Sequence, residues 1–267
     1  MGLMDDEDLR QRLEGKKLVV TGGSNGIGKA IVERASQLGA NVLFTYNAGE
    51  GRAKELAERT GAEHRRFVLG SPDSTKDFID SLRATGHVVN YFIANAGREL
   101  SGDLSKHSFS EMQAIFDANL LGNLYLLQNL IISDSMVNGG QVAVIGSIAA
   151  DGNHDQLAYS ASKSGLRGAV ESLFRYDGLV KKQVLGVKLI EPAFVRTPMT
   201  ERILKVLERR ALRPELVAEF NEKGYIMDAP YAAQRILELT VDPTVVGRVT
   251  IPANINLHEI RERYFKS

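Results

Sequence analysis

Tyr159 and Lys163 stand four residues apart in a stretch of strongly helical pattern, Tyr159-Ser160-Ala161-Ser162-Lys163, and Ser147 closes an apolar run twelve residues upstream. Side chains at i and i+4 share one helix face, so the Lys163 ammonium can sit beneath the Tyr159 phenol. A free phenol has a pKa of about 10, too high to exchange a proton readily at neutral pH. A nearby ammonium stabilises the phenolate and lowers that value. Tyr159 is then suited to act as general acid toward a carbonyl oxygen or general base toward an alcohol. The Ser147 hydroxyl can hold the same oxygen, a donor where charge develops. A tyrosine and lysine at this spacing, or a serine at a strand end, is commonplace alone; the ordered ensemble described next carries the signal.

That ensemble begins with a glycine-rich turn. Leu18-Val19-Val20-Thr21-Gly22-Gly23-Ser24-Asn25-Gly26-Ile27-Gly28 runs from an apolar strand straight into a helical pattern. Gly22 suits a tight turn, Gly26 lets a diphosphate approach the main chain, and Gly28 lets the helix pack close to the strand. The helix N-terminus then offers free N–H groups and partial positive charge to the phosphates. After the second strand the chain reads Thr45-Tyr46-Asn47-Ala48-Gly49, and its first carboxylate is Glu50. An acidic residue there would bind the adenosine ribose hydroxyls and disfavour a 2′-phosphate. With Tyr46 and Asn47 in that place, NADP(H) is favoured over NAD(H). Arg52 is the nearest cation, either a phosphate ligand or a solvated helix residue.

These residues need a frame that brings strand ends and helix starts together. Strand-length apolar runs cover Leu18–Thr21, Val42–Tyr46, Phe67–Leu69, Val89–Ala94, Val142–Ser147, Val184–Ile190 and Val245–Ile251. Helical periods fall between them, at Ile27–Leu38, Glu50–Thr60, Thr75–Thr85, Phe109–Met136, Leu157–Leu179 and Tyr231–Leu239. Most of the runs lack polar alternation, as expected of strands buried on both faces. The β–α alternation predicts an α/β fold: one Rossmann-type, doubly wound parallel sheet of about seven strands with helices on both faces. No linker or internal repeat divides residues 1–267, so a single domain is expected. The charged stretch 197–228 follows a strand end and is either a substrate lid or a solvated pair of surface helices.

Composition narrows the function classes. Hydrophobic residues make up 43% of the 267 and charged residues 25%, an ordinary globular profile. Lysine plus arginine balances aspartate plus glutamate at 33 each, which supports neither a nucleic-acid nor a membrane partner. There is no cysteine, hence no disulfide, thiolate nucleophile or cysteine-bound zinc. The five histidines are scattered without close pairs, and no metal site is expected. Met1–Lys17 is polar, without the apolar core of a secretory signal. The longest apolar candidate, Leu120–Ile132, is interrupted by Gly122, Asn123, Gln128 and Asn129, and no run reaches the ~20 residues of a membrane span. The default location is cytoplasmic.

Taken together, Thr21–Gly28, Asn95-Ala96-Gly97 after the fourth strand, Asn119, Ser147, Tyr159–Lys163 and Pro192…Thr197 resemble the short-chain dehydrogenase/reductase family over about Lys16–Pro198. The resemblance implies a nicotinamide cofactor across the strand ends and hydride exchange with a carbonyl carbon. It implies Tyr159 as acid/base, Lys163 on the nicotinamide ribose, Ser147 on the substrate oxygen and Asn119 supporting a water in the proton relay. Ile27 is expected beside the diphosphate, Asn95 beside the adenosine ribose and Thr197 near the carboxamide. A homo-oligomer, dimer or tetramer, is expected as well. Three departures stand out. Glu191-Pro192-Ala193 replaces the usual Pro-Gly, Gly70-Ser71 replaces the aspartate that holds adenine, and Val249–Asn254 lacks the double glycine of tetrameric relatives.

The loop from Ile148 to Leu157 must border the reacting atoms. His154 and Asp155 are polar candidates for substrate contact, Arg98 is a candidate partner for an anionic substrate or a solvated loop residue, and Phe194 and Met199 are candidate apolar walls. The expected activity is NADP(H)-dependent interconversion of a carbonyl and a secondary alcohol on a small molecule. The alternatives are a biosynthetic tailoring reductase, acting on a double bond or linked to dehydration, and a catalytically silent nucleotide-binding regulator.

Overall fold

The computed structural model describes residues 4–84, 86, 89–102, 104–152, 156–175, 185–201, 218–219 and 222–252. Seven parallel strands make one sheet: β1 (Lys17–Val20), β2 (Asn41–Tyr46), β3 (Glu63–Arg66), β4 (Val89–Ala94), β5 (Met136–Ile145), β6 (Leu185–Pro192) and β9 (Gly247–Ile251). Their order is β3-β2-β1-β4-β5-β6-β9, the doubly wound arrangement predicted from the alternation. Successive residues of one strand serve opposite faces. Leu18 and Val20 point to a core shared with α1 (Asp6–Leu13), α2 (Gly26–Gln37), α3 (Glu50–Thr60) and α8 (Ala229–Val241). Val19, between them, points to a second core with α4 (Pro72–Ala84), α6 (Asn123–Ile132) and α7 (Leu157–Phe174). This double burial is why the strands show apolar runs rather than alternation.

Two expectations are corrected by packing, and one helix is added. The third strand is Glu63–Arg66, paired with Leu43–Tyr46, and not Phe67–Leu69. It lies at the sheet edge, where solvated side chains leave no apolar run to mark it; Phe67 instead packs in a tilted pair against Phe78 of α4. The helix expected over Phe109–Met136 is α5 (Phe109–Phe116), a π-helical turn at Asp117–Gly122, and α6, while Met136 begins β5. A Cβ on Gly122 would lie 2.5 Å from the Gly70 nitrogen, and one on Gly70 would lie 2.8 Å from the Asp117 carbonyl oxygen. The π turn and the Gly70 loop thus touch backbone to backbone, a contact only glycines permit. Helix α1 went unseen because Asp6–Leu13 is mostly charged; its Leu9 and Leu13 are one helical turn apart and fully buried.

By length and composition the continuous helix Phe109–Ile132 is apolar enough to cross a membrane, which the shorter run Leu120–Ile132 did not suggest. Here it packs on the sheet, with Leu126, Leu127 and Leu130 buried. The 197–228 stretch lies mostly outside the described residues. Its flanks meet in a second, two-stranded parallel sheet of β7 (Phe194–Val195) and β8 (Ile226–Met227).

One buried charge in the frame gives a measurable signature. Lys188 of β6 is fully buried and donates to the carbonyls of Leu239 and Thr240, each at 2.8 Å, and to that of Asp242. These belong to the C-terminus of α8, where carbonyls lack intrahelical partners and a cation is favourable. Burial lowers the Lys188 ammonium from 10.5 to about 8, against the opposing charge of Asp242. Between those values the unfolded chain holds a proton that the folded chain has released, so this group adds stability as pH rises from about 8 to 10.5. The Tm of Lys188→Met should therefore gain less than wild type over pH 8 to 10 in thermal melts. Parallel curves would refute the depressed value.

Candidate functional site

The carboxyl ends of β1, β4, β5 and β6 open onto a cavity of about 370 Å³. It lies where the strand order reverses between β1 and β4, the place where open α/β sheets bind ligands. The cavity is built at one end by the glycine turn. Gly22 sits at φ +68°, its nitrogen donating to the Thr45 hydroxyl at 3.2 Å, and Gly23 N donates to Thr45 O at 2.8 Å. A Cβ on Gly22 would come 3.0 Å from Ala96 Cα, and one on Gly28 would run into the Gly22 carbonyl and the Asn95 amide. Asn25 caps α2, its Oδ1 accepting from Gly26 N at 2.8 Å. Gly22, Asn25, Gly26 and Ile27 line the cavity, while Ser24 and Gly28 lie behind it. The start of α2 thus offers backbone N–H groups to an anion, with no side chain on Gly26 to keep a diphosphate away.

Tyr46 and Asn47 line the same end, and Glu50 is drawn off into an ion pair with Lys54 at 2.8 Å. The Arg52 guanidinium folds back over Gly49, since any Cβ there would collide with it. Phe67 and Leu69 form the neighbouring wall; Gly70 and Ser71, expected there, do not line it. Asn95, Ala96 and Gly97 do, but the Asn95 amide is engaged internally, donating to Thr21 O at 2.9 Å and Gly22 O at 3.3 Å. It shapes the glycine turn from behind.

At the other end, Ser147 is extended and caps the short 3-10 turn Ile148–Asp151, its Oγ accepting from Ala149 N at 3.1 Å. Tyr159, in the first turn of α7, sets its phenol beside the Ser147 hydroxyl, near enough for that group to lower the phenol's pKa. The two hydroxyls, eleven residues of intervening chain apart in sequence, therefore converge on one point of the cavity. Lys163 lies on the same helix face with its Nζ 5.9 Å from the Tyr159 ring centroid. That ammonium donates to Ile145 O at 3.0 Å.

The electrostatics differ from the expectation. Burial pushes the Tyr159 phenol above its ordinary value, the Ser147 hydroxyl pulls it down in part, and the Glu99 charge pushes it up again. Lys163 does not reverse this. Its nitrogen is aimed at a carbonyl, and burial lowers it to about 8 with the Glu191 charge opposing. A phenol in this setting stays protonated across the neutral range.

Asn119 is fully buried within the π turn and lies off the cavity wall. Its Oδ1 accepts from Arg98 N at 2.7 Å, and its Nδ2 donates to Arg98 O at 2.8 Å and to Ser162 Oγ at 3.1 Å. Ser162 in turn donates to Tyr159 O at 2.7 Å. Both amide donors are used, so the side chain braces the Gly97–Glu99 segment against α7. Pro192, Thr197, Phe194 and Met199 line the cavity as expected. Ala193 does not adopt a left-handed backbone, so the missing glycine leaves no strain there. Arg98 is exposed on the rim, and His154 and Asp155 lie outside the described residues.

Two groups of functional side chains were missed. Glu99 lines the cavity beside Tyr159 and accepts from Gln156 Nε2 at 3.4 Å. Behind the site, Arg167 of α7 grips Glu191 of β6 with bonds of 2.7 and 3.1 Å and reaches Asp151 at 2.6 Å. A carboxylate directly after Leu189-Ile190, still within β6, was the one signal for Glu191; its partner on α7 could be found only in three dimensions.

The family profile for short chain dehydrogenases matches residues 16–207. The 3-oxoacyl-(acyl-carrier-protein) reductase FabG of Salmonella typhimurium is 31% identical over 193 residues, 71% of this chain and 78% of its own length. The cyclic-di-GMP-binding biofilm dispersal mediator protein of Escherichia coli is 30% identical over 218 residues, 76% of this chain and 86% of its own. Among solved structures, BdcA in complex with NADPH superposes with a TM-score of 0.73 at 25% identity, covering 90% of this chain and 94% of that one. This chain belongs to the short-chain dehydrogenase family of NAD(P)-dependent oxidoreductases.

Proposed function

We propose that the protein interconverts a carbonyl and a secondary alcohol on a small molecule, using NADP(H), with Tyr159 as the proton-transfer group. The observation that carries this reading is the convergence of the Ser147 and Tyr159 hydroxyls in the same cavity as the glycine turn. A nicotinamide cofactor bound along that cavity supplies or accepts the hydride at the substrate carbon. Its diphosphate would lie on the start of α2, over Gly26, and its nicotinamide end between Lys163, Pro192 and Thr197. Ser147 donates to the substrate oxygen and orients it toward the phenol. In reduction Tyr159, held protonated by burial, gives its proton to that oxygen. Asn119 keeps the Arg98 segment and α7 in register, so the two hydroxyls share one target. The test is cofactor consumption over a panel of ketones, with the Tyr159→Phe protein as the control.

Preference for the phosphorylated cofactor is supported by Tyr46 and Asn47 on the wall, by the pairing of Glu50 with Lys54, and by Arg52 over Gly49. A structural neighbour holds NADPH. A guanidinium hydrogen-bonded to phosphate contributes about 1.5–3 kcal/mol, or roughly ten- to hundredfold in affinity. Arg52→Ala should weaken NADPH by about that factor in fluorescence titration and leave NADH nearly unchanged. Equal losses for both cofactors would remove Arg52 from the 2′-phosphate site.

The regulatory alternative draws support from the relative described as binding cyclic-di-GMP. It predicts NADPH binding with no cofactor oxidation on any ketone of the panel.

A further inference from the structure

The reductase reading leaves the substrate open, and the wall facing Tyr159 bears on it. Glu99 lines the cavity two residues past Gly97, on a segment fixed at both the N–H and the carbonyl of Arg98 by the buried Asn119 amide. Its carboxylate takes one long hydrogen bond, 3.4 Å, from Gln156, itself buried at the start of α7. Among the described residues no lysine or arginine pairs with Glu99. Arg98, the adjacent cation, is exposed on the rim. Among the described residues, Ile148, Ala149, Phe194 and Met199 supply apolar wall at the substrate end.

We infer that Glu99 selects the substrate: the pocket takes ketones carrying a hydrogen-bond donor, a hydroxyl or an ammonium, close to the reacting carbon, and rejects carboxylates or phosphates at that position. This rests on the reductase reading of the same cavity. A carboxylate accepts hydrogen bonds and donates none while ionised. Held among apolar walls with a neutral amide as its partner, it keeps acceptor capacity facing the substrate. A donor on the substrate fills that capacity with a charge-assisted bond. An anion placed there would meet like charge. Glu99 and Tyr159 line the same cavity, and the Glu99 charge adds to the upward push on the phenol.

The test is a matched series on one ketone scaffold whose substituent beside the carbonyl is methyl, hydroxymethyl, aminomethyl or carboxylate. Each is assayed for NADPH oxidation and, with NADPH present, for binding by calorimetry, in wild type, Glu99→Gln and Glu99→Ala. Wild type should favour the hydroxyl and ammonium compounds over the methyl compound by roughly ten- to hundredfold in kcat/KM and disfavour the carboxylate. Glu99→Gln should retain the hydroxyl compound better than the ammonium compound and admit the carboxylate. Glu99 is half-buried, so both variants should fold, and NADPH fluorescence titration confirms it. Turnover with the same relative rates in all three proteins overturns the inference and leaves the reductase reading standing. Binding in the expected order without turnover supports the inference and removes the reductase reading. A series that neither binds nor reacts overturns both.

Discussion

Tyr159→Phe is expected to lower kcat by at least about a thousandfold, within the range of lost general acid–base catalysis, while NADPH binds within about twofold of wild type. The substitution removes one oxygen and keeps the ring, so the contact with Lys163 and the shape of the cavity survive. What is lost is the phenolic proton and the interaction with the Ser147 hydroxyl. A single neutral hydrogen bond contributes about 1 kcal/mol to stability, too little to unfold the protein. Absorbance at 340 nm with an excess of a ketone that the wild type reduces measures kcat, and NADPH fluorescence measures binding. A variant that kept a tenth of the activity would show that another group, or solvent, delivers the proton.

Arg167→Leu should be the most destabilising single change at the rear of the site. Glu191 is 1% exposed, and Arg167 supplies two of its hydrogen bonds as well as the charge that holds its carboxylate ionised against burial. Among the described residues, removing Arg167 leaves the buried carboxylate with only the distant Arg248 guanidinium, at 4.0 Å, and breaking a buried pair costs about 3–5 kcal/mol. For a chain of this size that corresponds to a Tm lower by roughly 10 °C. The deficit should shrink as pH falls toward 5. Burial already raises the Glu191 pKa against the pull of Arg167, and without Arg167 it rises further, so acid restores stability by protonating the group. Arg167→Leu combined with Glu191→Leu should recover most of the loss. If the double variant is as unstable as the single one, packing rather than buried charge is responsible. Turnover of Arg167→Leu should drop too, because Glu191 packs against Gly146 beside Ser147 and Arg167 holds Asp151 in the turn that Ser147 caps. Arg167 and Glu191 act by position, since neither lines the cavity.

The glycine turn was legible in the sequence because its constraints are local. Gly22 needs a left-handed backbone, Gly28 needs to lack a side chain, and both demands fall within one strand-to-helix turn. The pairing of Tyr159 with Lys163 was equally local, set by helical spacing, and so were the buried strands Leu18–Val20, Val42–Tyr46 and Val89–Ala94. The strand Glu63–Arg66 was invisible because an edge strand with solvated side chains carries no hydrophobic period. The π turn was hidden as well: its cause is Gly70, a loop residue some fifty positions away that meets Gly122 backbone to backbone.

The sequence by itself therefore determined the class of fold, the turn suited to a dinucleotide and the set of side chains able to move a proton. Each follows from backbone geometry or spacing over a few residues. The tertiary structure alone decided what surrounds those side chains. It placed Glu99 beside the phenol, spent the Asn95 and Asn119 amides on backbone, and joined Arg167 to Glu191 and Asp151. It also raised the Tyr159 pKa where spacing to Lys163 had pointed down. Desolvation and charge act through space in a medium of low polarity, between residues that no local pattern connects.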